Sequence, residues 1–396
     1  MSLTKEQKEI IKTTAPVLKE NGKEITSIFY KHLFEDHPEL LNLFNQTNQK
    51  IGSQPLALAN TIYFAAENID NLTVLMPQIM HIAHKHRALT VQPEHYPIVG
   101  KYLLQAIEQF LGEKADPNIL DAWKATYEII ASIFIDVEKQ LYNELGPNER
   151  DKGFIPLTIL KKVKVANGPI VAFTFERHDG GKLHDYHPGQ YLTLRIKHGN
   201  YFHNRHYSLL QPFDGKTYRI AMRQHIDHEP KGIVSNHMIN HSKVGQKILA
   251  TLPAGTFSLI DHAQHYLFIA GGIGITVLSS MIEELYKHGQ MNTVTLIHCV
   301  PTEDCAAFAN RMRLIFPRKQ YHLLTRGKGL LRGLIHQTIK PNTHVYLCGS
   351  VSFMNKVEEY LAECHHPATH IHAETFRPSL SLIKNAVKDQ SNTETL

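Results

Sequence analysis

Ile79-Met80-His81-Ile82-Ala83-His84-Lys85-His86-Arg87-Ala88-Leu89 is the stretch on which the reading of the chain turns. Ile79, Ile82, Ala83 and Leu89 recur at helical spacing around His86, and the segment ends in a run bounded by Pro93. An amphipathic helix with that pattern turns its apolar side inward and sets an imidazole at the wall of a hydrophobic space. An iron porphyrin needs such an imidazole as its axial ligand. A core histidine bonded to a backbone carbonyl would leave the same trace. A glycine-rich segment far downstream, Gly271-Gly272-Ile273-Gly274-Ile275-Thr276, favours the first reading, because haem and nucleotide machinery in one chain imply electron delivery.

Around this helix the pattern from Thr4 to about Leu145 is helical throughout: Ile25, Ile28, Phe29 and Leu33; Leu58, Ile62 and Ala65; Leu103, Ile107 and Phe110; Trp123, Tyr127, Ile130 and Phe134. Breaks at His37-Pro38, Gly52, Asn71, Pro93 and Gly112 predict seven or eight helices, a globin-like packing around a pocket. The polar run Gly146-Pro-Asn-Glu-Arg-Asp-Lys-Gly153 reads as a linker. The period then changes to two at Leu157 to Val165, Val171 to Phe175, Tyr191 to Ile196 and Tyr218 to Met222, with turns at Asn167-Gly168, Asp179-Gly180-Gly181 and Asp214-Gly215. Short, evenly spaced strands of this kind predict an antiparallel barrel.

From about Asp261 strands alternate with helices: Tyr266 to Ala270, a helix to Tyr286, Val294 to Val300, a helix around Phe308, Tyr321 to Leu324, His344 to Cys348, and a helix from Phe353 to Ala362. That order predicts a parallel sheet with crossover helices. The expected division is an all-α domain over 1–145, a linker over 146–153, an antiparallel β-barrel over 154–261, an α/β parallel-sheet domain over 262–380, and a polar, at least partly disordered tail over 381–396.

A chain of 396 residues exceeds one ordinary core, at roughly 100 to 200 residues per domain. Its four cysteines form no CxxC pair, which argues against a disulfide framework or zinc knuckle and for reduced thiols in the cytoplasm. No apolar run is long enough to span a bilayer, so no obligatory membrane association is expected. The net charge of +5 is spread among acids rather than gathered in patches, which excludes nucleic acid as the expected partner. Many of the 27 histidines fall at surface-like positions such as His178, His184, His203 and His228, where they raise net charge in acid.

Tyr30 follows Phe29 inside an apolar helix, and a buried phenol needs a partner. Gln54 and Leu58 lie four apart on one helix face. Glu138 falls on the inward face set by Tyr127, Ile130, Ala131 and Phe134, where an unpaired carboxylate would cost several kcal/mol. Its companions are the ring N–H of His86 and the Tyr96 hydroxyl, unless the carboxylate snorkels to the helix end. Downstream, Arg205-His-Tyr-Ser208 and then Gly232-Ile-Val-Ser-Asn236 entering a helix pair a cation with a helix N-terminus, while Tyr207 and Ser208 offer a plane and a hydroxyl; together they suit FAD. Gly271, Gly272 and Gly274 follow a strand and open a helix, so backbone N–H groups can approach a phosphate. Tyr346-Leu-Cys-Gly349 ends a later strand at the carboxyl edge, where Cys348 could face a nicotinamide or be a small buried hydrophobe.

In this order the motifs resemble the flavohaemoglobins, the nitric oxide dioxygenase family, over residues 1 to about 378. The resemblance is carried by Phe29-Tyr30, His37-Pro-Glu-Leu40, Phe44-Asn45, Gln54, Lys85-His86, Pro93-Glu-His-Tyr96, Asp121-Ala-Trp123, Tyr142-Asn-Glu144, His187-Pro-Gly-Gln-Tyr191, Arg205-His-Tyr-Ser208, Gly271-Gly-Ile-Gly274, Tyr346-Leu-Cys-Gly349 and Glu374-Thr-Phe376. It implies a globin, a β-barrel FAD domain and a ferredoxin-reductase-like NAD(P)-binding domain. It implies haem b on His86, supported by Tyr96 and Glu138, with Phe44 against the porphyrin and Tyr30, Gln54 and Leu58 on the distal side. For FAD it implies Tyr191, Arg205, Tyr207, Ser208, Val234 and Ser235; for the nicotinamide nucleotide, Gly271, Gly272, Gly274, Thr276, Cys348, Gly349 and Phe376. Val277, Ser350 and Thr375 depart from the family's usual proline, proline and cysteine.

The activity implied is nitric oxide dioxygenation by a monomer: NAD(P)H reduces FAD, FAD reduces haem iron, and O2 held at the haem reacts with NO to give nitrate. NADH is favoured over NADPH because Pro301-Thr-Glu-Asp304, rather than arginines, follows the strand ending at Val300. The alternatives are an O2 or NO sensor or carrier with an attached reductase, and a general NAD(P)H-dependent flavin or hydroperoxide reductase.

Overall fold

The computed structural model describes residues 3–44, 53–165, 170–224, 232–261, 263–317, 319–326 and 330–376, with side chains from 58 onward in the helix that starts at Ser53. The Asn167-Gly168 turn, Asn45, His228 and the 381–396 tail lie outside them. The described chain divides into two compact units, one running to Gly153 with Lys197–Asn204, the other comprising Phe154–Ile196 and the residues from Arg205 on.

The first unit is helical. Helix α1 (Lys5–Asp36) starts with a reciprocal cap between Thr4 and Gln7, and stops before His37-Pro38. It is followed by α2 (Ser53–Glu67), α3 (Met76–Leu89), α4 (His95–Leu111) and α5 (Pro117–Asn143), with three 3-10 turns at Pro38–Asn42, Leu72–Leu75 and Gly112–Lys114. Among the described residues these eight helical pieces match the predicted number. Helices α1 and α2 cross where Gly22 meets Ala59: a Cβ on Gly22 would sit 2.7 Å from the Ala59 methyl. That close approach draws Phe29 and Tyr30 of α1 into one apolar cluster with Leu58 and Ile62 of α2.

Two sheets lie mainly in the second unit. Strands β1 (Ile155–Lys164), β2 (Ile170–Arg177), β3 (Tyr191–His198), β4 (Tyr201–Ser208), β5 (Tyr218–Arg223) and β6 (Lys247–Ala250) form a sheet in the order β4-β3-β6-β1-β2-β5. The pairs β1–β2, β1–β6, β2–β5 and β3–β6 are antiparallel, and an antiparallel bridge between Leu209 and Ile220 joins the end of β4 to β5 and closes the barrel. Leu157 and Ile159, Phe173 and Phe175, and Leu192 and Leu194 fill it at alternate positions, each 1% exposed or less. His203, which the sequence places at the surface, is 5% exposed on β4, with its ring 5.8 Å from that of His198.

Helix α6 (Ile233–His241) precedes β6. The second sheet follows: β7 (His265–Gly271), α7 (Ile275–Lys287), β8 (Val294–Val300), α8 (Ala309–Ile315), β9 (Tyr321–Thr325), α9 (Leu331–Thr338), β10 (Thr343–Cys348), α10 (Val351–Glu363) and β11 (Ile371–Glu374). All pairs are parallel, in the order β11-β10-β7-β8-β9. The chain winds outward from β7 to β9, then returns to β10 on the other side. The loops after β7 and β10 therefore flank the point where the winding reverses.

The two sheets of this unit share one apolar core. Ile170, Ala172, Leu210 and Ala221 of the barrel pack in one cluster with Ile275, Leu278 and Met281 of α7. All four cysteines are free, and among the described residues no helix is long and apolar enough to cross a membrane. Gly189 ties the sheets together. Its φ is +105°, its N–H donates to Ser280 Oγ at 3.1 Å, and a Cβ there would lie 2.0 Å from the Phe257 carbonyl oxygen. Gly189→Ala is therefore expected to destabilise this unit by about 2 kcal/mol or more, and to lower its thermal midpoint by circular dichroism. An unchanged midpoint would show that the turn relaxes freely.

Candidate functional site

Helix α3 carries Ile79 and Ala83 buried on its inner face and ends at Leu89, within a turn of His86: Thr90 takes a left-handed conformation at φ 63°, and the Val91 N–H returns to the His86 carbonyl at 3.0 Å. The chain then turns into α4, which brings Tyr96 alongside, while α5 supplies Glu138. His86 Nδ1 lies 2.7 Å from Glu138 Oε1, and the Tyr96 hydroxyl donates to the same oxygen at 2.6 Å. A carboxylate only accepts, so Nδ1 carries the proton and Nε2 presents a bare lone pair. Glu138 is 3% exposed, which rules out the snorkelling alternative. Burial, and after it the Glu138 charge, push the Tyr96 phenol far above the usual range, so it remains a donor.

A further layer fixes these groups. The Tyr127 hydroxyl donates to the Tyr96 carbonyl at 2.7 Å, and its ring lies where a Cβ on Gly100 would stand. The Tyr142 hydroxyl donates to the Val91 carbonyl at 3.0 Å. The sequence reading missed Tyr127 as a polar partner, since its position in the apolar stripe hides where the hydroxyl goes.

The other face of the imidazole meets apolar surface. Its ring lies 5.6 Å from that of Phe134, which lines a cavity of about 30 Å³ with Phe64, Ala65, Ile79, Ile82 and Ile130. No His86 Nε2 hydrogen bond occurs among the described residues, and the side chain is 32% exposed. One bare imidazole nitrogen in an apolar wall fits a metal held mainly by a macrocycle. No cluster of three or more His, Cys, Asp or Glu among the described residues could cage an ion instead. Tyr30 is 6% exposed, with its ring 5.7 Å from Phe44, and Leu58 packs in the same cluster. Gln54 lies on α2, but its side chain is outside the described residues.

In the second unit Arg205, Tyr207 and Ser208 end β4. Ser208 is 7% exposed; burial holds the Arg205 guanidinium below its usual range and pushes the Tyr207 phenol up. Tyr191, 9% exposed, opens β3 with its ring 4.7 Å from His206. Val234 and Ser235 occupy the first turn of α6, which starts without a side-chain cap, leaving its amides available to an anion. The opposite end is held by a residue the sequence reading overlooked: Lys162 Nζ donates to the Ile239 and Ser242 carbonyls at 2.7 and 2.8 Å. A half-buried cation, a hydroxyl, an aromatic plane and free helix amides suit a flavin dinucleotide.

Parallel pairing of Cys348 with Ala270 brings the two glycine segments together. A Cβ on Gly274 would lie 2.2 Å from the Cys348 carbonyl oxygen, and one on Gly349 would lie 3.2 Å from Gly271 Cα. Glycine is required at both positions for the two loops to pack this closely, whereas Gly272, with no heavy atom within 4 Å of its missing Cβ, borders open space. Cys348 is fully buried and burial pushes its thiol well above the usual range, so it acts as a neutral small group. The Thr276 hydroxyl donates back to the Ile273 carbonyl at 2.8 Å, bracing the turn. Phe376 is 50% exposed just beyond β11. Two of the departures have local explanations: Ser350 caps α10 by accepting the Phe353 N–H at 3.3 Å, and Val277 is fully buried in the shared core. The structure offers no account of Thr375.

Tyr96→Phe leaves the buried Glu138 with one donor fewer. The loss is expected to be about 2 kcal/mol in chemical denaturation of the helical unit, as for hydrogen bonds to charged groups. Wild-type stability in this variant would mean that the contact is idle.

A globin family model matches residues 27–134, and an oxidoreductase NAD-binding domain model matches residues 268–359. The flavohemoprotein of Oceanobacillus iheyensis is 39% identical over 95% of this chain and 97% of its own length. Among solved structures, a flavohemoglobin from Malassezia yamatoensis with bound FAD and heme has a TM-score of 0.85 at 24% identity, covering 95% of this chain and 100% of that one. The flavohem-like FAD/NAD binding domain of a nitric oxide dioxygenase from Vibrio cholerae has a TM-score of 0.50 at 23% identity, covering 56% of this chain and 98% of that domain. The two structural likenesses establish the architecture. The 39% identity to the Oceanobacillus protein over nearly the whole of both chains places this chain in the flavohemoprotein family.

Proposed function

We propose that this chain is a nitric oxide dioxygenase that uses NAD(P)H, FAD and haem b to convert NO and O2 to nitrate. The observation that carries the proposal is the Glu138 carboxylate on His86 Nδ1, in a chain that also contains a nucleotide-binding reductase half. When bound, haem supplies the iron where O2 and NO combine, and FAD turns a two-electron hydride into single electrons.

His86 Nε2 would hold the iron. Glu138 draws on the Nδ1 proton and gives the imidazole anionic character, which favours cleavage of O–O bonds over reversible storage. Tyr96 shares the carboxylate oxygen and tempers that pull. Phe44 and Leu58 would press on the macrocycle, while the Tyr30 hydroxyl and the Gln54 amide would donate to the oxygen substrate. In the reductase half, Arg205 and the amides around Val234 and Ser235 would take the FAD pyrophosphate, with Tyr191, Tyr207 and Ser208 along the ring system. Gly271, Gly272 and Gly274 would cradle the nicotinamide nucleotide, with Thr276 bracing the turn, Gly349 and Phe376 bordering the nicotinamide, and the buried Cys348 supporting the floor beneath it.

Mixing oxygenated, NADH-reduced protein with NO in a stopped-flow instrument is expected to yield nitrate in proportion to the NADH oxidised. Stable oxygenated protein with little NADH consumption would support a carrier instead. Tyr30→Phe is expected to slow NO consumption about tenfold or more, and a wild-type rate would remove the role given to Tyr30. Glu303 and Asp304 follow the carboxyl end of β8, where acidic groups suit a ribose diol and oppose a 2′-phosphate. NADH is therefore expected to exceed NADPH in kcat/KM by about tenfold or more; equal efficiencies would contradict this assignment.

A further inference from the structure

We propose that His298 is a positioning residue of the dinucleotide loop: its Nε2–H holds the Gly272 carbonyl beneath the turn, keeping the loop's amides directed at a pyrophosphate. This rests on the nucleotide site proposed above. His298 lies on β8, in register with Ala270 on β7, which is itself paired with Cys348 on β10. The three therefore form one cross-strand row at the carboxyl edge, directly under the glycine segment.

Side-chain burial singles out His298 within that row. The residue is 0% exposed, its Nε2 lies 3.4 Å from the Gly272 carbonyl oxygen, and its buried Nδ1 meets no partner among the described residues. A carbonyl only accepts, so Nε2 bears the proton and Nδ1 is the bare nitrogen. A leucine would fill the same apolar space without burying an unpaired nitrogen, so packing gives no reason for an imidazole here. Contact with the loop does.

The loop itself shows why such a contact is needed. Gly271 is pinned by the Phe353 ring, 2.7 Å from where its Cβ would stand, and Gly274 by the Cys348 carbonyl. Gly272 differs: its φ is +56°, and no heavy atom lies within 4 Å of its missing Cβ. A glycine with open space around it rotates its peptide at little cost. The Ile275 N–H and His298 are the groups that meet its carbonyl, and His298 is the one that approaches from the sheet. A turned carbonyl would point its negative end at the phosphates that the amides should meet.

The test uses the full chain loaded with haem and FAD, with NADH as donor and ferricyanide as electron acceptor. H298L is expected to raise KM for NADH about tenfold with kcat within about twofold of wild type. H298Q, whose amide nitrogen reaches the place of Nε2, should restore KM to within about threefold. Should H298L fail to fold, H298N substitutes for it, because its shorter amide stops at the place of Nδ1 and should leave KM high. Unchanged KM in H298L or H298N would overturn the inference, as would equal losses in H298Q and H298N or a fall in kcat with KM intact. Wild-type protein that shows no saturable NADH oxidation would sink the nucleotide reading itself, and with it the role of His298.

Discussion

The buried carboxylate of Glu138 is the constraint around which the helical unit is organised. A charge that is 3% exposed has to be neutralised by donors brought from elsewhere in the chain, and the two it finds come from two other helices. Helix α3 must end within a turn of His86 and α4 must begin near Tyr96 for both donors to reach one oxygen atom. The left-handed Thr90 and the Tyr127 and Tyr142 hydroxyl bonds to the intervening backbone secure that turn. The outcome is an imidazole with one nitrogen committed to an anion and the other left bare against an apolar wall. One interaction thus sets the tautomer, the ring orientation and the electron density of the proposed ligand.

In the second unit the corresponding constraint is backbone proximity. Parallel pairing of β7 with β10 brings the loops after both strands so close that Gly274 and Gly349 have no space for side chains. Open space lies instead at Gly272, where no heavy atom comes within 4 Å of the missing Cβ, and there a nucleotide backbone could approach. Fusion of barrel and parallel sheet into one core, with Gly189 at the junction, keeps the flavin-side residues and the glycine cradle on a common rigid support.

Much of this was legible in the sequence because it rests on period and punctuation. Change from helical spacing to alternation at Leu157, and then to strand–helix alternation after Asp261, marks all three architectures. Strands β6 and β11 went unread because four residues, Lys247–Ala250 and Ile371–Glu374, are too few to show a period. Helix α9 went unread because Gly333 interrupts it. Glu138 was legible as a buried charge that needed company, whereas Lys162 and His298 were not. Lys162 is one lysine among several on β1, and His298 is indistinguishable from its neighbours on a buried strand until its nitrogens are placed. What sequence pattern cannot carry is which atom of a side chain meets which carbonyl.

The central claim is that Glu138 gives the His86 imidazole anionic character at a haem iron. Resonance Raman spectroscopy of the ferrous, ligand-free protein measures the iron–histidine stretch directly. The account predicts a high frequency in the wild-type protein that falls in Glu138→Gln, where the amide can no longer draw on the Nδ1 proton as an anion does. An identical frequency in both proteins, or an absent iron–histidine band in a haem-loaded wild type, would contradict it.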